Sequence, residues 1–193
     1  MLVSGREAAG LLGTIGLDRE AARRALLAGV AGPAQRSRGA LLYDEASVKR
    51  LLVDPVDPGA LSGDCWDGMF VGRVGPRRAA ADEFRQWRGA DLNAPVAEQR
   101  DGVRMYWRIA PLTHLCIARM IERRGFVPFV ATVSGFVVVG GDITGLQIAG
   151  GGRGVVMTLT DPTEWFEPLR GGRFVTPAGG PWAWWPARLE SLL

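Results

Sequence analysis

The chain is poor in the residues from which catalytic and metal sites are built. It has one histidine and two cysteines, and it contains none of the sequences HExxH, CxxC or GxSxG. A zinc site needs three or four protein ligands, and an activated nucleophile needs a base beside it. We therefore expect no catalytic residue, no metal and no cofactor, and we interpret Cys65, Cys116 and His114 as structural side chains.

Long apolar runs are also missing. No stretch approaches the roughly eighteen consecutive apolar residues of a membrane-spanning helix, and no basic segment followed by an apolar one and a cleavage site opens the chain. These absences predict a cytoplasmic protein with no membrane partner. With 193 residues, of which 47% are hydrophobic and 22% charged, the chain is long enough for one small and one larger folded domain.

Lysine is almost absent, since Lys49 is the only one, and arginine carries the positive charge. That charge is unevenly distributed along the chain. Residues 1–53 hold eight basic and five acidic side chains, which gives them a net charge of +3. This equals the formal net charge of the whole chain, so residues 54–193 have no net charge. Guanidinium groups bind phosphate through two donors at once, so a basic first segment favours a polyanionic partner.

The basic segment begins with a clear helix signal. Ser4 followed three residues later by Glu7 is the pattern of a capping box, and the apolar residues that follow have helical spacing. Gly13 and Gly16 bracket a turn, after which Asp18 can cap a second helix. The sequence therefore predicts two short helices joined by a tight turn.

A basic hairpin and a closing helix are predicted next. Gly29 ends the second helix, and residues 35–39 have the composition of a hairpin tip. Residues 40–43 form the returning strand, and Asp44 caps a last helix with apolar residues at helical spacing.

This order of elements, over residues 4–52, resembles the winged helix-turn-helix of the MerR and phage-excisionase type. In such domains the second helix enters the major groove of DNA and the wing follows the backbone. The turn before the second helix departs from the family, because Thr14-Ile15-Gly16-Leu17 lacks the usual run of small polar residues. The resemblance implies contacts to double-stranded DNA from five arginines, namely Arg19, Arg23 and Arg24 on the helix and Arg36 and Arg38 on the wing.

The rest of the chain predicts a second domain. We divide the chain into the winged helix (1–53), a linker rich in Asp and Pro (54–63) and a domain over residues 64–193. Together these segments indicate an α+β protein with a mainly antiparallel sheet and helices on one face. Hydrophobic patterning in the second domain predicts strands at 69–74, 103–109 and 154–160 and helices at 79–88 and 112–124, the second with Leu115 facing inward. It also predicts a hairpin over 126–139 that turns at Ser134-Gly135.

Two features of this domain have more than one interpretation. The glycine-rich stretches at 140–141 and 150–154 lack the pattern of a phosphate-binding loop, so we interpret them as hairpin turns. Trp182, Trp184 and Trp185 can pack in the core, form a partner or dimer interface, or stack on unpaired bases.

The sequence thus predicts a DNA-binding protein, either a transcriptional regulator or a nucleoid or architectural factor. About five arginines per copy bind DNA weakly, so we expect a homo-oligomer. Residues 64–193 then serve for oligomerisation, for binding a protein partner or for sensing a small-molecule effector, and the sequence does not identify that effector. Two alternatives remain. The winged helix can act as a dock in a protein-interaction adaptor, or residues 64–193 can hold an enzyme site without a recognisable motif.

Overall fold

The computed structural model describes residues 1–57, 68–80, 82, 84–152, 154–176 and 179–185. It is a mixed structure of helices and sheets, which agrees with the predicted α+β class. No helix in these ranges is long and apolar enough to cross a bilayer.

The N-terminal part contains three helices around a small sheet. Its strands have the order β1–β3–β2 and are antiparallel. Strand β1, which the sequence did not predict, ties the start of the chain to β3. The elements are β1 (Leu2–Ser4), α1 (Gly5–Gly13), α2 (Arg19–Leu27), β2 (Gln35–Ser37), β3 (Ala40–Asp44) and α3 (Glu45–Lys49).

Side-chain caps start these helices where the sequence predicts. The Ser4 backbone N–H donates to the Glu7 carboxylate at 2.8 Å, and the Glu7 N–H donates to the Ser4 hydroxyl at 3.3 Å. Hydrogen bonds to the Glu7 carboxylate from the backbone and the side chain of Ser4 hold the pKa of Glu7 below its ordinary value. Asp18 and Asp44 accept from the backbone N–H three residues on, at 2.7 and 2.9 Å. Each cap satisfies a helix N–H that would otherwise lack a partner.

A five-stranded sheet forms the rest of the fold. Its strand order is β10–β4–β7–β8–β9, and only the β4–β7 pair is parallel. Every residue of β7 is buried, because helices lie on one face and a 3-10 segment at residues 164–169 covers the other. The elements are β4 (Met69–Arg73), β5 (Arg78–Ala79), β6 (Trp87–Arg88), α4 (Val96–Val103), α5 (Pro111–Arg124), β7 (Val127–Val133), β8 (Phe136–Ile148), β9 (Val155–Thr160) and β10 (Trp182–Trp185).

The helix predicted at residues 79–88 is wrong. The described part of this stretch is a short antiparallel ribbon, β5–β6, in which Arg78 stands opposite Arg88. The Asp82 carboxylate accepts from the backbone N–H of Arg85 at 3.1 Å. Such a local bond offers the backbone an alternative to helical hydrogen bonds, and here it turns the chain.

The strand predicted at residues 103–109 is also wrong. Val103 ends helix α4, and the residues after it contact strand β9 through an isolated bridge between Trp107 and Val155 and a hydrogen bond from the Met157 N–H to the Arg104 carbonyl. The predicted alternation of burial is present, since Val103, Met105 and Trp107 are all buried. An irregular segment lying on a sheet produces the same two-residue pattern as a strand.

Helix α5 agrees with the sequence in extent, whereas strand β8 of the predicted hairpin continues beyond residue 139 to Ile148. The helix starts at Pro111 and ends at Arg124, yet Cys116 and Ile117 are buried whereas Leu115, predicted to face inward, is 46% exposed. Apolar residues occur on two sides of this helix, so spacing alone does not identify the buried side.

Gly140 and Gly141 lie inside strand β8 and not in the predicted hairpin turn. A Cβ atom on Gly140 would stand 2.4 Å from the ring of Phe166 in the 3-10 segment. The glycine therefore allows that ring to pack directly on the strand. The other glycine-rich stretch, at residues 150–152, does connect β8 to β9.

The N-terminal helices share a core with the large sheet. Phe136, the first residue of β8, is fully buried in the cluster that contains Leu12, Leu26 and Val48. The Ser134 hydroxyl, in the β7–β8 turn, donates to the carbonyl of Ala21 in α2 at 2.7 Å. Helix α2 is thus held from both parts of the chain.

The first residues of the predicted linker also contact the large sheet region. The Val56 N–H donates to the carbonyl of Arg173 at 2.8 Å. Residues 58–63 and Cys65 lie outside the described residues. The division into units 1–53, 54–63 and 64–193 stays a prediction.

We expect Gly140→Ala to destabilise the protein by about 1 to 3 kcal/mol, because the added methyl group overpacks the Phe166 ring. Gly10→Ala is the matched control, since a Cβ atom there meets nothing within 4 Å and alanine favours the helix. Urea unfolding measures both. Equal midpoints for the two variants would contradict this packing.

Candidate functional site

A groove of about 330 Å³ lies between helices α1 and α2 and strand β3. Arg6, Arg19 and Arg23 line it together with apolar side chains such as Leu26 and Leu41. Within the described part of the chain, no acidic side chain lines it. The groove therefore combines a positively charged rim with an apolar floor.

The three arginines predicted on α2 do not share one site. Arg19 and Arg23 are one helical turn apart and both line the groove. Arg24 is the next residue, rotated by about 100° around the helix, and it lines a different cavity. The Glu20 carboxylate lies 3.9 Å from the Arg23 guanidinium, but both side chains are 64% exposed, so this pair is weak.

The hairpin β2–β3 places its two arginines differently. Arg36 pairs with Leu41, and cross-strand partners project from the same face, so Arg36 lies on the groove side of the hairpin. Arg38 and Gly39 form the two-residue turn, both with positive φ. Arg38 is exposed at the tip.

Tyr43 closes the floor of the groove and is 3% exposed. Burial raises the pKa of its hydroxyl, although the nearby charge of Arg23 acts in the opposite direction. The phenol is therefore neutral at physiological pH, and the arginines alone give the groove its charge.

A second cavity, of about 560 Å³, lies between α2, the ribbon β5–β6 and the segment that follows α4. None of the described residues that line it carries a carboxylate. Its wall contains five arginines, namely Arg24, Arg78, Arg85, Arg88 and Arg108.

One of these five has a structural role. Arg85 donates to the Asp82 carboxylate at 3.0 Å and to the carbonyl of Met105 at 2.8 Å, and its side chain is 5% exposed. Burial by itself raises the pKa of Asp82, but the hydrogen bond and charge of Arg85 outweigh it and hold that pKa below its ordinary value. The positive charge of Arg85 is thus balanced by the Asp82 carboxylate three residues earlier in the chain.

The remaining described candidates, among them Cys116 and the tryptophans of β10, do not come together as a group of metal ligands. Cys116 is a buried free thiol, and the described residues contain no group of three possible metal ligands. Trp184 and Trp185 are 9% and 7% exposed in β10, and the ring of Trp182 stacks on Phe70 at 5.1 Å. All three indoles therefore pack in the sheet region, and the interface and base-stacking interpretations stay predictions.

Sequence reasoning missed Arg6, Arg78 and Arg88. Arg6 lies in the first turn of a predicted helix, but nothing in its spacing shows that this turn stands beside α2. Arg78 and Arg88 lie at the two ends of a stretch whose pattern predicts a helix, and a helix would not place them opposite each other.

No protein-family model matches the chain, and neither does any of the curated proteins or solved structures with which it was compared.

We expect Asp82→Asn to lower the stability at pH 7 by about 2 kcal/mol, because it leaves the buried Arg85 without its charged acceptor. The pKa of Asp82 is lowered in the folded state, so its contribution is present above the ordinary value of 3.8 and is lost as the pH falls through the folded pKa. Urea unfolding of both proteins from pH 7 to pH 2.5 should show the difference shrinking.

Asp101→Asn is the control for this prediction. Asp101 pairs with Arg104 at the same sequence separation, but the two side chains are 44% and 33% exposed. We expect its removal to cost under about 1 kcal/mol. A similar cost for both variants would show that burial of the Asp82 pair has no effect.

Proposed function

We propose that the chain is a DNA-binding protein, a transcriptional regulator or a nucleoid factor, in which residues 4–52 act as a winged helix-turn-helix. The observation that carries this proposal is the groove, where α2 presents Arg19 and Arg23 beside a hairpin that presents Arg36 on the same side. The order of helices and strands in this part of the chain also supports it.

In this proposal α2 enters the major groove and the β2–β3 hairpin follows the backbone. Arg6 joins Arg19 and Arg23 as a phosphate or base contact, whereas Arg24 faces the other cavity and makes no contact with the duplex. Arg38, exposed at the hairpin tip, contacts a neighbouring phosphate.

A single copy binds weakly in this arrangement. Five arginines neutralise at most about five phosphates, and most of that binding is lost at physiological salt. The proposed working form is therefore a homo-oligomer that places two or more winged helices on one duplex, with copies joined through residues 64–193.

A second candidate function is favoured by the floor of the groove. Leu26, Leu41 and Tyr43 line it, and Leu27 beside them is 39% exposed. An apolar floor with a basic rim also suits a protein segment that carries an apolar side chain between acidic ones. The chain would then be an adaptor that uses the winged helix as a dock.

The decisive variant for DNA binding is Arg19→Gln with Arg23→Gln in the full chain. Fluorescence anisotropy with a mixed-sequence duplex, over a series of KCl concentrations, gives the slope of log K against log salt. Loss of two phosphate contacts should reduce the steepness of that slope by about 1.8 and weaken binding at every salt concentration.

Arg119→Gln with Arg123→Gln is the matched control. These arginines are also four residues apart on an exposed helix surface, α5, so the change in net charge is identical. We expect this pair to leave the slope nearly unchanged. If the α2 variant binds the duplex as tightly as the unmodified chain at low salt, the groove is a protein dock and the DNA proposal is wrong.

A further inference from the structure

The larger cavity is lined by four arginines whose charge is not balanced by any carboxylate of the described residues. Arg78 and Arg88 are directly opposite on the ribbon β5–β6, and both line the cavity. Like charges at opposite positions of a β-ribbon repel each other and destabilise it. Arg24 and Arg108 add two more cations to the same wall. Among the described residues, none of these four arginines has a carboxylate partner.

The side chain of Tyr106 lines the same cavity, and its hydroxyl oxygen is buried and makes no hydrogen bond within the described part of the chain. A buried hydroxyl without a hydrogen-bond partner destabilises the fold. The guanidinium of Arg85 lies 5.4 Å from the Tyr106 ring, on a side chain already held by Asp82. Among the described residues, the wall thus contains four arginines without a carboxylate partner and a tyrosine whose hydroxyl has no acceptor.

We propose that this cavity binds a small molecule that carries two or more phosphate groups. Guanidinium groups and a hydroxyl donor match the oxygens of phosphate in geometry and charge. Four cations are balanced by about four negative charges, of which a single phosphate supplies at most about two. The volume of about 560 Å³ is in the range of small-molecule sites, and the apolar surfaces of Val74, Pro76 and Trp107 can contact the remainder of the ligand.

The shape of the cavity favours a small molecule over a duplex as the source of the phosphates. Its lining includes Val103, Met105 and Trp107, which are 1%, 8% and 6% exposed and therefore lie below the protein surface. The four arginines are themselves exposed at the rim of the cavity. A small molecule can contact this rim with its phosphates and the apolar base with its remaining part, whereas a duplex would contact the rim alone.

The site also connects to helix α2. Arg24 lines the cavity, whereas Arg19 and Arg23 of the same helix line the groove. A ligand held by Arg24 therefore contacts the helix that the proposed function places on DNA. This link, unlike the site itself, rests on that proposed function.

The test is calorimetric titration of the full chain with inorganic pyrophosphate and with orthophosphate at matched ionic strength, without DNA. We expect pyrophosphate to bind at least tenfold more tightly than orthophosphate.

Arg78→Gln with Arg88→Gln should weaken pyrophosphate binding at least tenfold, whereas the control Arg119→Gln with Arg123→Gln should change it less than twofold. In the absence of ligand, the Arg78/Arg88 variant should melt no lower than the unmodified chain, because it removes a repulsion.

Tyr106→Phe separates ligand binding from structural support. It removes only the hydroxyl, which has no partner without ligand, so we expect a melting temperature no lower than that of the unmodified chain and a several-fold loss of pyrophosphate affinity. Failure of pyrophosphate to bind, or an equal loss in the α5 control, would overturn the proposal.

A duplex titration of the same variants distinguishes the two sources of phosphate. If the Arg78/Arg88 pair weakens duplex binding as strongly as the Arg19/Arg23 pair and pyrophosphate does not bind, these arginines contact DNA and the small-molecule site is wrong. If pyrophosphate binds and the duplex does not, the site holds and the proposed DNA function fails.

Discussion

The position of helix α2 is the constraint on which both candidate sites depend. The helix buries Ala22, Ala25 and Leu26 in the N-terminal core, while the β7–β8 turn donates a hydrogen bond to it and inserts Phe136 beside it. A nine-residue helix is marginal in isolation, so this packing and not helix propensity holds it in place. Truncation of a buried phenylalanine typically costs about 3 to 5 kcal/mol, which indicates how firmly the two parts are joined.

The rotation of an α-helix by about 100° per residue then divides the arginines. Arg23 faces the groove and its neighbour Arg24 faces the cavity, so one short helix contributes to two basic surfaces. The two surfaces differ in size and charge. The groove has an apolar floor and three arginines, whereas the cavity is larger and has five arginines in its wall.

The large sheet serves as the support for this arrangement. Its central strand is buried along its whole length, and Gly140 lets Phe166 pack directly on the neighbouring strand. The tryptophans of β10 add aromatic contacts, with Phe70 between the rings of Trp107 and Trp182. Trp107 in turn anchors the irregular segment that carries Tyr106 and Arg108 into the cavity wall.

The sequence by itself determined the features whose causes are local. The caps at Ser4, Asp18 and Asp44, the hairpin turn at Ser134-Gly135 and the extent of helix α5 all depend on residues within a few positions of one another, and the structure has them where the pattern predicts. Only the tertiary structure decided the rest, because the deciding contacts join residues far apart in the chain. Strand β1 forms because it pairs with β3, and residues 78–79 and 87–88 form a ribbon although the pattern at 79–88 predicts a helix. Packing between distant segments brings four arginines into one cavity wall, which local spacing cannot predict; they are Arg24, Arg78, Arg88 and Arg108.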